Sequence, residues 1–295
     1  MMELRMQPLS DERQRCLSFS LDVRPAAALM QYRDAHGNAV HHFDIAGGHS
    51  ELTIKADALA EVASASATET SGSWSDLNAL VAREDHWEML LPSTFARPTP
   101  ALEELAKEID LEWSRTPFEV VHKIMRDIHE KFSYVPNSTA VDSPIDHALS
   151  ERKGVCQDFA HIMIALVRSV DIPCRYVSGY LFHSNGDQGS AEGASHAWVE
   201  ALLPGSGWTE FDPTNNVMSG ERHIRVAIGR DYADVPPTRG VFKGGAESEL
   251  SVSVAVALAD APAPQDLAPT MVIRRVAIPV QHPYLLRQEQ EQQQQ

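Results

Sequence analysis

Residues 154–161 read Gly-Val-Cys-Gln-Asp-Phe-Ala-His, and this stretch decides how the rest of the chain is interpreted. The apolar residues that follow recur at steps of three and four, the spacing of one buried helical face: Phe159, Met163, Leu166 and Val170. Cys156 therefore lies at the start of a predicted helix, where free backbone N–H groups and the helix dipole favour the nucleophilic thiolate. The alternative for any single cysteine is a small, buried apolar residue.

Two predicted strands downstream carry residues suited to serve this thiol. His196 begins the first strand, directly after a polar, Gly-rich stretch interpreted as a loop at residues 183–194, and Asp212 ends the second. The turn at residues 204–207 joins the strands as antiparallel neighbours, which brings the two side chains together. A neutral imidazole accepts a thiol proton, and a carboxylate orients the imidazole. Alone, His196 is an ordinary surface histidine and Asp212 an ordinary turn residue; with Cys156 they predict a nucleophile, a base and an orienting group.

The first 95 residues predict a β-sandwich. Apolar residues alternate with polar ones at residues 17–23, which is the period of a half-buried strand. A turn signal at residues 34–38 separates further short apolar runs, and several short strands with close turns are typical of a sandwich. Residues 63–76, rich in alanine, serine and threonine, are interpreted as a loop.

The apolar period changes from two residues to 3.6 after a Pro-rich boundary at residues 92–100. Helix starts are predicted where a capping residue precedes a proline: Thr99-Pro100, Thr116-Pro117 and Ser143-Pro144. Strands are predicted at residues 174–182, 196–203, 208–212, 250–258 and 271–280. The fold class is therefore α+β, with a β-sandwich domain at 1–95, a second domain with C-terminal strands at 96–287, and a disordered Gln/Glu tail at 288–295.

Composition and charge exclude several classes of protein. Acidic residues outnumber basic ones by 41 to 25 among the 295 residues, and the net charge of −16 argues against nucleic acid or an anionic membrane surface as a partner. Three cysteines cannot all pair within the chain, so a secreted disulfide scaffold is not expected. Neither a signal peptide nor a membrane-spanning apolar stretch is recognised, and a cytoplasmic location is expected.

Five separated motifs follow one another along the second domain. They are residues 154–161, Cys-Arg-Tyr-Val-Ser-Gly-Tyr at 174–180, His-Ala-Trp-Val-Glu at 196–200, Gly-Trp at 207–208 and Phe-Asp-Pro-Thr-Asn at 211–215. In this order they resemble the transglutaminase-like superfamily, and within it a bacterial branch of papain-like cysteine enzymes.

The core of the resemblance covers about residues 110–217. Residues 34–38 resemble the N-terminal β domain of the branch, and residues 229–237 and 240–244 resemble its C-terminal continuation. Members of the branch usually begin with one more β-strand before the segment that matches residues 4–8. Either the sandwich lacks an edge strand, or the true start of the protein lies upstream.

The resemblance implies a papain-like catalytic core and a role for each of three residues. Cys156 is implied as the nucleophile, His196 as the general base and acid, and Asp212 as the orienting group. The implied reaction is acyl transfer through a thioester on a peptide or protein substrate, with no cofactor. Hydrolysis of peptide or amide bonds, as in a cysteine protease, is the preferred outcome. Transamidation to an amine acceptor is the alternative with the same residues, and a non-catalytic interaction module on this fold is the third.

Residues beside the motifs have open alternatives. Gln157 and Asp158 either support the catalytic groups or only cap the helix. Trp198 is expected to pack within the sheet, and the alternative is that it contacts substrate. The Cys156 N–H is expected to bind part of the oxyanion. No metal site is predicted, because the histidines near Asp44 match no closed ligand pattern: His36, His41, His42 and His49.

Overall fold

The computed structural model describes residues 1–63, 71–83, 86–110, 115–182, 195–241, 243–244, 247–259 and 270–276. The helices within these ranges are α1 (Trp74–Val81), α2 (Pro100–Glu108), α3 (Pro117–Lys131), α4 (Ile145–Glu151) and α5 (Cys156–Arg168). None of them combines the length and the apolar character needed to cross a lipid bilayer.

The strands come from both ends and the middle of the chain. They are β1 (Met2–Leu4), β2 (Gln14–Arg24), β3 (Met30–Arg33), β4 (Ala39–Phe43), β5 (Glu51–Val62), β6 (Ser133–Tyr134), β7 (Lys153–Gly154), β8 (Cys174–Leu181), β9 (Ser195–Leu203), β10 (Gly207–Asp212), β11 (Val217–Met218), β12 (His223–Gly229), β13 (Thr238–Gly240), β14 (Glu247–Ser251) and β15 (Thr270–Val276).

Helices α2 and α3 begin where their caps predict. The Thr99 hydroxyl accepts a hydrogen bond from the Leu102 N–H at 3.2 Å, directly before α2. At α3 the Thr116 hydroxyl accepts from the Glu119 N–H at 3.3 Å, and the Glu119 carboxylate accepts from the Thr116 N–H at 2.8 Å. This reciprocal pair is a capping box, which satisfies two N–H groups that a helix start would otherwise leave unpaired.

The prediction of a loop over residues 63–76 is wrong at its C-terminal end. Helix α1 begins at Trp74, and Ser73 and Asp76 form a second capping box, in which the Ser73 N–H donates to the Asp76 carboxylate at 2.9 Å. Leu77 is fully buried, so packing also stabilises the helix. The cap was not recognised in the sequence because Ser73 and Asp76 lie at the end of a stretch rich in alanine, serine and threonine, a composition typical of loops. Residues 64–70 lie outside the described residues.

The second half of the chain contains a five-stranded antiparallel sheet with the strand order β11-β10-β9-β8-β12. β9 lies between β8 and β10, with Ala201 opposite both Cys174 and Thr209. Helix α5 packs on this sheet, and the largest apolar core of the described residues lies between the sheet and helices α2 to α5.

Two four-stranded sheets form the predicted β-sandwich, in the orders β13-β1-β4-β3 and β14-β15-β5-β2. They pack through an apolar cluster to which both contribute: Leu4, Val23, Phe43, Leu52 and Ile54. Late strands complete both sheets, since β13 pairs with β1 and β15 pairs with β5. The domain boundaries at residues 95 and 287 stay predictions.

The predicted strand at residues 250–258 is shorter in the structure. β14 ends at Ser251, and residues 252–258 join no strand of the described chain. Alternating apolar residues are typical of a strand, but here every residue of the segment lines a cavity instead of joining a sheet. The last predicted strand is observed at Thr270–Val276. Residues 277–280, the predicted loop at 183–194 and the tail at 288–295 lie outside the described residues.

Candidate active site

Cys156 is the first residue of α5, and the backbone before it is held by the helix itself. Val155 is extended (φ −113°, ψ 178°), and its N–H donates to the Asp158 carboxylate at 2.8 Å. The Thr139 hydroxyl donates to the same carboxylate at 2.6 Å. A Cβ on Gly154 would lie only 2.9 Å from the Asp158 side chain, so glycine is required at this close approach. Asp158 thus fixes the turn that presents the half-buried Cys156 thiol.

Gln157 contacts a segment outside α5, and Asp158 caps the start of the helix. Its Nε2 donates to the backbone carbonyl of Val141 at 2.7 Å. This hydrogen bond ties the first turn of α5 to the segment that precedes α4. Both side chains therefore hold backbone close to Cys156.

His196 joins Cys156 to Asp212. Its Nε2 lies 2.8 Å from Asp212 Oδ2, and because an ionised carboxylate only accepts hydrogen bonds, this nitrogen must carry a proton. Nδ1 is then the ring nitrogen left for Cys156, whose thiol lines the same cavity and helps to raise the pKa of His196. The pairing of β9 with β10 places Asp212 beside the start of β9. The structure therefore brings together the three residues that the sequence singles out.

The Asp212 carboxylate is completely buried and accepts hydrogen bonds from five donors. Three side chains reach Oδ2, namely His196 at 2.8 Å, His223 at 3.1 Å and Asn215 at 2.7 Å. Two backbone N–H groups reach Oδ1, from Thr214 at 3.0 Å and Asn215 at 3.1 Å. These donors replace the water that burial removes.

These contacts determine the charges of the site. Burial by itself would raise the pKa of Asp212, but hydrogen bonds from His196 and His223 hold that pKa well below its usual range. Burial by itself would lower the pKa of His196, but the hydrogen bond with Asp212 and the neighbouring Cys156 thiol raise it to about 10. At neutral pH the imidazole is therefore protonated.

His223 is a site residue that the sequence analysis does not single out. It begins β12 and donates from Nε2 to the same oxygen of Asp212 as His196. The Trp198 ring packs against both histidines, with ring centroids 5.1 Å from His223 and 5.9 Å from His196. Trp198 is fully buried, and its Nε1 donates to Glu210 at 2.8 Å. The indole therefore supports the two imidazoles from within the sheet.

His196, Asp212 and His223 also form a group of metal-ligating side chains, with ligand atoms all within 4.8 Å of one another. Histidine and carboxylate ligands suit zinc. Hydrogen bonds explain the arrangement without an ion, because the protonated His196 balances the charge of Asp212. Over the described ranges the histidines near Asp44 form no such group.

Residues 103–213 match the family model of the transglutaminase-like superfamily core, and residues 1–61 match that of the bacterial transglutaminase-like N-terminal region. The chain belongs to the transglutaminase-like superfamily. In this transglutaminase-like protein, the residues that match the core model include Cys156, His196 and Asp212. The family and the α+β fold with an N-terminal β-sandwich, as inferred from the sequence, are confirmed.

Relatives of this transglutaminase-like protein match it over different lengths. The uncharacterized protein ML0607 of Mycobacterium leprae is 34% identical over 253 residues, which cover 85% of this chain and 89% of that protein. A protein-glutamine gamma-glutamyltransferase of Pseudomonas aeruginosa is 32% identical over 148 residues, which cover 46% of this chain and 22% of that enzyme.

A solved structure from Cytophaga hutchinsonii, described as a candidate cysteine protease, has the same fold. It superposes with a TM-score of 0.66 at 22% sequence identity, and the superposition covers 93% of this chain and 91% of that one. The shared fold thus extends over the sandwich as well as the papain-like core.

Proposed function

We propose that this chain is a cysteine-dependent enzyme that transfers the acyl group of a peptide or amide bond through a thioester on Cys156. The observation that carries this proposal is the His196 imidazole, whose Nε2 is hydrogen-bonded to the buried Asp212 and which lines the same cavity as the Cys156 thiol. A nucleophile, a general base and acid, and an orienting carboxylate have this arrangement. A module that only binds partners has no need of a buried histidine with its pKa raised to about 10, which argues against the interaction-module alternative.

In the first half of the reaction, the Cys156 thiolate attacks the carbonyl carbon of the substrate. The carbonyl oxygen takes up the negative charge. The Cys156 N–H lies at the helix start, where N–H groups have no intrahelical acceptor, and it stabilises that charge. As the C–N bond breaks, His196 gives the Nδ1 proton to the leaving amine. The products are a thioester on Cys156 and a free amine.

In the second half, the neutral His196 accepts a proton from the molecule that attacks the thioester. Water releases a carboxylic acid, which is hydrolysis, and an amine forms a new amide, which is transamidation; both regenerate Cys156. Hydrolysis is preferred because it requires no second bound substrate. The 32% identity with a protein-glutamine gamma-glutamyltransferase supports transamidation as the second candidate.

Iodoacetamide labelling near pH 6 tests Cys156 as the nucleophile. Burial raises the pKa of the Cys16 thiol, and it raises that of Cys174 to about 12, whereas Cys156 faces a protonated imidazole. We expect Cys156 to react at least about tenfold faster than the other two thiols. A His196→Ala variant should lose this advantage. Equally slow labelling of all three cysteines would overturn the proposal.

A peptide library, incubated with and without an added amine and analysed by mass spectrometry, separates the two outcomes. Chain cleavage or loss of a side-chain amide indicates hydrolysis, whereas incorporation of the amine indicates transamidation. The Cys156→Ala variant is the control, because any product that persists in it does not arise from this site.

A further inference from the structure

Cys156 and His196 face a cavity of about 690 Å³ that lies between two strands of different sheets. Alternate residues of β8 line it, namely Tyr176, Ser178 and Tyr180, as expected when one face of a strand borders a space. β5 contributes Ile54, Ala56, Ala58, Leu59, Ala60 and Val62. The proposed nucleophile thus opens onto a space bounded by both the catalytic sheet and the sandwich, of a size typical for ligand sites.

The cavity extends along β5. Its lining follows β5 from Ile54 to Val62, which spans about 26 Å at about 3.3 Å per residue. An extended peptide of about eight residues has the same length. The shape therefore suits a stretch of extended chain better than a compact small molecule.

The lining carries very little charge. Apart from the pair formed by Cys156 and His196, Glu221 is the single formally charged side chain among the described residues that line the cavity. The described arginines and lysines contribute none of the lining. A charged substrate side chain would lose water here without gaining an opposite charge, and such a transfer is costly.

The chain's own sequence already packs against this cavity. Residues 252–259 read Val-Ser-Val-Ala-Val-Ala-Leu-Ala, and all eight line it. They follow β14 and join no strand of the described chain. This segment therefore adds a wall of small, uncharged side chains to the cavity.

We propose that this cavity binds the acyl donor as an extended, uncharged peptide segment rich in small apolar side chains. The inference rests on the proposed role of Cys156 and adds a substrate class to it. Tyr176, Ser178 and Tyr180 line one side of the bound segment, and the alanines of β5 line the other. The reactive carbonyl lies where the cavity meets Cys156.

Protection of Cys156 from iodoacetamide measures this binding without requiring turnover. The ligands are blocked eight-residue peptides of alanine, valine and serine around a central glutamine, and the same peptides with lysine or glutamate at the two flanking positions. We expect the neutral peptide to half-protect Cys156 at a concentration about tenfold or more below that of either charged peptide. Equal protection by all three, or none by the neutral peptide, overturns the inference.

Variants of Ala58 test the wall itself. Ala58 lines the cavity and is exposed to solvent, so a larger side chain is compatible with folding. Ala58→Glu should weaken protection by the neutral peptide about tenfold, whereas Ala58→Gln, which has the same size, should weaken it less. Ala58→Lys should improve protection by the glutamate peptide. Unchanged protection in all three variants contradicts the placement of the peptide.

Labelling without peptide separates this inference from the function on which it rests. Protection in each Ala58 variant is measured against that variant's own labelling rate without peptide. If Cys156 labels fast and selectively but no peptide is preferred, the proposed substrate class is wrong and the proposed nucleophile stands. If labelling is slow and unselective, the proposed role of Cys156 as nucleophile is wrong.

Discussion

Asp212 is the residue on which the site depends most. A carboxylate with a single donor can rotate, but five donors divided between two oxygens leave it one orientation. The orientation of Asp212 in turn fixes the plane of the His196 ring, and thus the direction in which Nδ1 faces Cys156. The reactivity of the thiol therefore depends on side chains that never contact it.

His223 offers the sharpest test of this dependence, as a positioning residue that acts through Asp212. His223→Phe keeps a ring against Trp198 but removes the donor to Asp212 Oδ2. We expect iodoacetamide labelling of Cys156 at pH 6 to slow about tenfold, since a hydrogen bond to a charged group contributes about 1.5–3 kcal/mol and part of it orients the site.

The matched variant for this test is His223→Gln, which retains an N–H donor and should recover most of the rate. Labelling of the buried Cys174 should stay slow in both variants, which shows that the fold is intact. If Cys156 labels at the original rate in His223→Phe, then His223 contributes only packing and its hydrogen bond to Asp212 does not orient the site.

The three candidate site residues could be singled out from the sequence, whereas His223, which supports them, could not. Cys156, His196 and Asp212 lie at the start or end of elements whose order follows from local patterns. His223 reaches Asp212 because β12 pairs with β8, with His223 opposite Leu181. This pairing joins segments about forty residues apart, and no local pattern determines which edge of the sheet β12 selects.

At the scale of the element, the start of α5 combines a structural and a chemical task. The same first turn carries the Asp158 carboxylate, which caps the backbone of Val155, and the Cys156 thiol. An acidic group at a helix N-terminus stabilises the helix. The cap therefore determines both the stability of α5 and the position of the sulfur.

Asp158→Ala should affect both properties. Loss of the cap should lower the free energy of unfolding by about 1–2 kcal/mol and should slow labelling of Cys156, because the turn before it is no longer held. Asp76→Ala is the matched control, since Asp76 caps the Ser73 backbone of α1 in the same way at 2.9 Å. It should lower stability, measured by urea unfolding, and leave labelling unchanged. Equal labelling in the two variants would mean that Asp158 has no effect on the sulfur.

Elements were predictable where their signals are local. The capping pairs of α2 and α3 lie within four residues of sequence, and the structure has both helices. The segment at residues 252–258 shows the limit of such signals. Its alternation predicts a strand, but whether such a segment joins a neighbouring strand or lines a cavity is decided by the rest of the molecule.

At the scale of the whole molecule, an ionic cluster connects the N-terminal segment to the five-stranded sheet. Glu200 of β9 is fully buried and binds Arg175 at 2.5 Å, Arg13 at 2.6 Å and Arg225 at 3.3 Å. Arg225 also binds Asp11 at 2.6 Å. Burial by itself would raise the pKa of Glu200, but the three guanidinium groups hold it well below its usual range.

Glu200→Gln should destabilise the protein by about 3 kcal/mol, because Arg175 loses its carboxylate partner, whereas Arg13 and Arg225 keep Glu210. The control Glu61→Gln removes an exposed pair with Arg15 at 3.7 Å and should cost less than about 1 kcal/mol. Urea unfolding measures both. A change in Glu200→Gln no larger than in the control would show that the cluster contributes little.

The same cluster predicts a direction of pH dependence. Because the folded-state pKa of Glu200 lies below its unfolded value, the stabilisation is present above about pH 4.5 and is lost as the pH falls toward the folded-state pKa. The original protein should therefore lose stability on acidification more steeply than Glu200→Gln.

The overall assembly was the least predictable level. The sequence indicates a sandwich followed by a catalytic domain, but not that β13 joins β1 or that β15 joins β5. Strand partners far apart in sequence are selected by packing and register. The short strands Met2–Leu4 and Thr238–Gly240 have too few residues to carry a signal of their own.

The pairing of β1 with β13 has a consequence for how the protein is made. The ribosome must synthesise the chain between Leu4 and Thr238 before these strands can meet, which takes about 12–50 s at about 5–20 residues per second. During that interval β1 presents an unpaired edge, and such edges promote association with other chains. Newly made protein should therefore need protection from a chaperone until its last strands emerge, and truncation before residue 238 should yield aggregates instead of a free catalytic domain.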